Sequence, residues 1–154
     1  MPAEQTGRGS SSGAPIDPWQ GRPGAGSLDN LRKFVHLWFG WLDRGAPVER
    51  LVAHLATTNL HLELPEGRVS SYREFRNWHA GFAMRYRRIR HELHEVVVAW
   101  DCDEGYTVDL RCRRITQSMS DGVERVAAFR QKWHVRTAPS GALEIERCQT
   151  QQIG

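Results

Sequence analysis

Lysine is nearly absent from this chain: Lys33 and Lys132 are the only two, and arginine supplies the rest of its 21 cationic residues. Arginine spread among Ala and Gly carries little functional information, and the net charge is only +3. Phosphate neutralisation needs clustered cations. One cluster exists, Arg85, Arg87, Arg88 and Arg90, and it falls where a helix is expected to end, a position at which cations complement the macrodipole. The reading is therefore no nucleic-acid partner. Cysteine is scarce too. Cys102, Cys112 and Cys148 form no CxxC pair and leave an odd count, which excludes a disulfide framework and a zinc cage and leaves reduced structural thiols. Nothing approaches the run of about 20 apolar residues that a membrane helix requires. Met1 to Gln20 lacks the basic-then-apolar pattern of a secretory leader, so the expected setting is cytoplasmic, with no membrane partner. There is no H-x-H or HExxH spacing, no G-x-S-x-G, no phosphate loop and no dinucleotide fingerprint. The expectation is no metal and no cofactor.

What remains is a chain of 154 residues with 40% hydrophobic and 25% charged residues, enough for one domain with a real core. Residues 1–26 hold glycines, serines and prolines without apolar periodicity and read as a disordered tail; residues 27–154 form the domain. Ser27 can cap a first helix, in which Leu28, Leu31, Val35, Trp38 and Leu42 share a face. Gly45 ends it. Pro47 opens a second helix with Val48, Leu51, Val52 and Leu55 on one side.

The period then changes. Asn59 to Leu64 alternates strictly and predicts a short strand, closed by Pro65, Glu66 and Gly67. Ser71 and Glu74 form a capping-box signature for a third helix carrying Phe75, Trp78, Phe82, Tyr86 and Ile89 on one stripe. From Leu93 onward the chain reads as four strands joined by short turns, hence antiparallel. Tyr106, Val108, Leu110 and Cys112 alternate with Thr107, Asp109, Arg111 and Arg113. Ala127, Phe129, Gln131, Trp133 and Val135 form a further apolar row.

The segments WFGWLDRG, PVERLVAHLA, LHLELP, SYREFRNWHAGF, FRQKWHVR and LEIERC, in that order, make Phe34 to Ile153 resemble the SnoaL-like branch of the nuclear transport factor two-like superfamily. The resemblance implies an α+β fold of the cystatin-like kind, a cone-shaped roll of helices packed on a strongly curved antiparallel sheet around an apolar pocket. It also implies a homodimer. That superfamily includes polyketide cyclases, ketosteroid isomerases, scytalone dehydratase and epoxide hydrolases alongside non-catalytic binding modules, so function has to come from the inward polar groups.

His61 and Glu63 are the first candidates for catalysis. Two apart on a strand, they share a face; desolvation in a pocket would raise the carboxyl toward neutral pH and the imidazole could shuttle its proton. Strand periodicity leaves open whether they or Leu60, Leu62 and Leu64 face inward. By similarity to ketosteroid isomerases, Glu63 falls within one residue of the proton-abstracting acid. Trp38 then stands where those isomerases carry a tyrosine donor, which argues against their particular chemistry, since indole is no acid. Gln131 is a polar residue in a row that should be buried, near the place of their second oxyanion donor. His91 lies near the position of a catalytic histidine in scytalone dehydratase-like members. Asp109 and Arg111 read as a solvated or dimer face.

The expectation is an enzyme of polyketide cyclase or isomerase type, acting by cyclisation, isomerisation, dehydration or hydrolysis on a hydrophobic polyketide- or terpenoid-like molecule of secondary metabolism. Glu63, His61 and His91 would move protons, and Trp38, Trp78, Phe82, Phe129, Gln131 and Trp133 would hold the substrate. The alternative is a non-catalytic ligand-binding or dimerisation module of the same fold.

Overall fold

The computed structural model describes residues 25–101 and 105–154. Among the described residues three helices, α1 (Ala25–Arg44), α2 (Val48–Val52) and α3 (Tyr72–Arg85), pack on six strands: β1 (His61–Leu64), β2 (Gly67–Val69), β3 (Tyr86–Asp101), β4 (Gly105–Ser118), β5 (Glu124–Thr137) and β6 (Leu143–Gln152). The strands form one curved sheet in the order β2-β1-β6-β5-β4-β3. The expected α+β cone is present.

Its details depart from expectation in four places. The sheet is mixed, because β1 runs parallel to β6, with His61 opposite Arg147 and Leu62 opposite Cys148. A strand not anticipated, β2, pairs back on β1 as a hairpin across Pro65 and Glu66. Helix α3 stops at Arg85, so Tyr86, Ile89 and the arginines after it belong to β3; long-range pairing of Tyr86 with Ser118 and of Arg90 with Ile115 overrides their helical spacing. Ser27 lies inside α1 rather than capping it. The expected disordered tail falls on residues outside the described ones, save the last two, which are helical.

Strand β3 breaks register with β4 between Tyr86 and Arg88 and between Leu93 and Val96, and β5 breaks register with β6 between His134 and Val135. Such irregularities increase local twist and bend a sheet, giving it a concave face. Along β4 and β5 that face carries Val108, Leu110, Cys112, Phe129, Trp133 and Val135, all buried. Helix α1 lies across it with Leu31, Val35, Trp38 and Leu42 turned inward, the stripe that the 3.6-residue period marks. Each such side chain, fully buried, contributes about 1.5–3 kcal/mol.

Ser71 caps α3 by accepting from the Glu74 amide at 3.1 Å, and the Glu74 carboxylate reaches back to the Ser70 amide at 2.7 Å. A bidentate Arg76–Glu49 pair ties α3 to α2, and the Tyr72 hydroxyl donates to the Leu55 carbonyl at 2.8 Å. Together these hold α3 in place, with Trp78 stacked on Phe82 and tilted against Phe75. No described helix is long and apolar enough to cross a membrane.

Candidate functional site

The helices and the concave face meet around an inner cavity lined by Trp38, Trp78, Phe82, Phe129, Gln131, Trp133 and His91, with Phe39, Phe75 and Arg114 between them. The six expected substrate-holding residues and one of the three expected proton carriers thus share one cavity. Aromatic rings nearly fill it. Trp38 packs on Phe75 and on Trp133, and Phe39 stacks on Trp133, leaving about 30 Å³, room for one or two water-sized groups. Leu42 and Phe82 also line a wider groove of about 780 Å³ outside the cavity. The groove has ligand size.

The expectation that His61 and Glu63 project into the pocket is not met. Leu60 and Leu62 are buried, while the His61 and Glu63 side chains are 49% and 35% exposed and face each other at 3.3 Å on the outer side of β1. Packing explains this: the short strand has one face to bury, and leucine repays burial where a carboxylate does not. Glu63 is also within reach of Arg68 on β2 at 3.9 Å.

His91 occupies the inner wall. Its side chain is 6% exposed, its ring lies 4.8 Å from that of Phe39, and Nδ1 is 2.6 Å from Asp43 Oδ1. The other carboxylate oxygen, Oδ2, accepts from the His91 backbone N–H at 2.9 Å. Asp43 therefore grips both the main chain and the ring of His91. A carboxylate can only accept, so Nδ1 carries a proton, and in the neutral ring Nε2 is the nitrogen left to act as a base. Asp43 lines the groove and His91 the cavity, so the pair stands at their junction. Sequence reasoning missed Asp43, yet a signal was there: an acid in the last turn of a helix opposes the macrodipole and calls for another partner.

Directly across the strands from His91 is Arg114. Cross-strand partners share a face with Cβ atoms about 5 Å apart. Arg114 is 9% exposed and pairs through Nη2 with Glu66, itself 8% exposed, at 2.6 Å. Its guanidinium lies over the rings of Phe129, Tyr86 and Phe82 at 5.1, 5.5 and 5.9 Å. Glu66 further accepts from Trp78 Nε1 and the Tyr86 hydroxyl. Arg114 continues the row Val108, Leu110, Cys112 by period two, a second signal left unread; Glu66, in a hairpin turn, had none.

Gln131 is buried and committed at both ends: Nε2 donates to Thr150 Oγ1 at 2.9 Å and Oε1 accepts from Trp133 Nε1 at 3.0 Å. Asp109 lies on the outer face paired with Arg130 at 2.7 Å, which holds its carboxyl below the usual range. Burial raises the Cys112 and Cys148 thiols to about 11 and about 12; Cys102 lies outside the described residues. Burial lowers His79, on the groove wall. Among the described residues no three His, Cys, Asp or Glu side chains are grouped to hold a metal ion.

The cone of this chain is the fold of nuclear transport factor 2-like proteins, as comparison with solved structures shows. It is similar to an NTF2-like superfamily protein from Salmonella enterica serovar Typhimurium (TM-score 0.72, 9% identity, 82% of this chain and 91% of that one). It is also similar to ActVI-ORFA from Streptomyces coelicolor (0.67, 13% identity, 83% and 98%) and to LinA type 2, a hexachlorocyclohexane dehydrochlorinase (0.68, 8% identity, 82% and 89%). No family model and no curated protein matches the sequence. At these identities the likeness is one of fold.

Proposed function

We propose that this protein is a cofactor-independent acid–base enzyme in which the Asp43–His91 pair moves a proton on a hydrophobic, polyketide- or terpenoid-like small molecule. The observation that carries the reading is the doubly held His91, with Nδ1 and its own backbone N–H both on Asp43 and its ring on the cavity wall. A buried imidazole so oriented offers Nε2 as a base, and the carboxylate stabilises the imidazolium that forms. The body of the substrate lies in the groove and its reacting end enters between Leu42 and Phe82 to meet His91. Proton abstraction next to a carbonyl leads to isomerisation when the proton returns to another carbon, to dehydration when a β-hydroxyl leaves as water, and to cyclisation when the enolate carbon attacks a second carbonyl whose oxygen takes the proton. That LinA shares the fold supports a cone of this kind hosting elimination.

The test uses 2-tetralone, a bicyclic ketone with acidic α-hydrogens, and follows their exchange in deuterium oxide by proton NMR. The protein should accelerate exchange about 10²-fold or more over buffer, and His91→Asn should abolish the acceleration while the melting curve stays cooperative. Equal rates with and without protein refute the proposal. A second reading, the non-catalytic binding module, is favoured by how little space the aromatic rings leave; it predicts saturable tetralone binding with no exchange.

A further inference from the structure

Among the described residues two buried side-chain nitrogens lack any hydrogen-bond partner, Arg114 Nε and His134 Nε2. His134 lies on the opposite face of the sheet, held by Glu146 through Nδ1. Arg114 lines the inner cavity beside His91. A buried donor without a partner is costly, the more so when charged, so an orphaned guanidinium N–H beside His91 asks for an acceptor. Glu66, Tyr86 and the three aromatic rings take up Nη2 and the guanidinium faces, which fixes the fork and leaves its Nε edge for a ligand. The cavity has room for an oxygen-sized group.

We infer that Arg114 is the oxyanion-holding residue of the reaction proposed above, and that the substrates are carbonyl compounds with an acidic α C–H. The inference rests on that reading and replaces Gln131 in the role of enolate donor, since the Gln131 amide is engaged by Thr150 and Trp133. In the step, His91 Nε2 takes the α-proton and the C–H electron pair becomes a carbon–carbon π bond. The carbonyl π pair moves to oxygen, where Arg114 Nε–H donates to the new negative charge. Delivery of the same proton to another carbon completes an isomerisation; delivery to a departing β-hydroxyl, which leaves as water, completes a dehydration. Arginine suits this place because its charge does not titrate and its fork is pre-organised by Glu66. Glu66 acts through Arg114 and is a positioning residue.

The probe is 4-nitrophenol, whose ionised oxygen resembles an enolate and is read by its absorbance, with 4-nitroanisole as the control that cannot ionise. Bound to the wild-type protein, 4-nitrophenol should ionise about one pH unit lower than when free, as a neighbouring cation dictates. Arg114→Gln alone strands Glu66 in the interior, so the variant used is Glu66→Gln/Arg114→Gln, with folding checked by circular dichroism. It should abolish the shift and leave 4-nitroanisole affinity within about twofold, because that ligand carries no charge for the guanidinium to meet. The inference is overturned if wild type fails to bind 4-nitrophenol at millimolar concentration, if the bound phenol titrates like the free one, or if the double variant keeps the shift. Equal losses for phenol and anisole also overturn it. The probe is not turned over, so a failed shift condemns Arg114 alone, whereas failed tetralone exchange condemns the acid–base reading of His91.

Discussion

Asp43→Asn separates geometry from charge at the proposed base. In the native protein Asp43 Oδ2 accepts from the His91 backbone N–H at 2.9 Å, and Oδ1 accepts from Nδ1 at 2.6 Å. An asparagine has one oxygen and one NH₂ to place on these two partners. The backbone N–H can only donate, so the amide oxygen must stay on it and the NH₂ group turns to the ring. Nδ1 then becomes the acceptor, the proton moves to Nε2, and the base faces the cavity already protonated. In a Ser–His–Asp triad the same change removes about 10⁴ in rate while leaving geometry intact. In the 2-tetralone exchange the whole acceleration, about 10²-fold over buffer, should be lost. The cost to stability should be small, about 1 kcal/mol, because both hydrogen bonds survive with one weakened. Exchange of the ketone and ¹⁵N chemical shifts of the His91 ring are the two measurements. Exchange within about tenfold of wild type would refute the role of Asp43, since 1.4 kcal/mol is too little for a reversed tautomer. So would a ring that keeps its proton on Nδ1.

Other positions have definite expectations. His61→Ala and Glu63→Gln should leave tetralone exchange unchanged and shift stability by less than about 1 kcal/mol in urea unfolding, because the pair is exposed on the outer face; a large loss of exchange in either would return them to the site. Gly105 opens β4 with φ of +110°, and a Cβ there would run into the Val135 carbonyl, so Gly105→Ala should destabilise by about 2 kcal/mol or more, read as a lowered melting temperature. Burial raises the Cys112 and Cys148 thiols to about 11 and about 12; at pH 8 both should resist iodoacetamide in the native protein and react once it is unfolded, which peptide mass mapping of those two positions decides.

What the sequence made legible follows from which forces are local. The stripe of Leu31, Val35, Trp38 and Leu42 on α1 and the row Phe129, Gln131, Trp133, Val135 on β5 were readable because a single period places an entire face. All of these residues except Gln131 belong to the core cluster. Periodicity fixes a set of faces but not their sign. On β1 the row of His61 and Glu63 and the row of Leu60, Leu62 and Leu64 are equivalent until something covers one of them, and only the packing of the cone decides that the leucines are inside. The end of α3 was misread for a related reason: Tyr86 and Ile89 stand at helical spacing from Phe82, yet pairing with β4, far along the chain, claims both for β3. The same pairing creates the site. Asp43 and His91 are separated by 48 residues, and neither local pattern points to the other. Arg114 meets His91 only because the register of β3 on β4 sets them opposite. The walls of this pocket are thus a property of segments and its chemistry a property of register, and a charged residue landing on an apolar row, as Arg114 does on β4, is the local mark that such a register leaves behind.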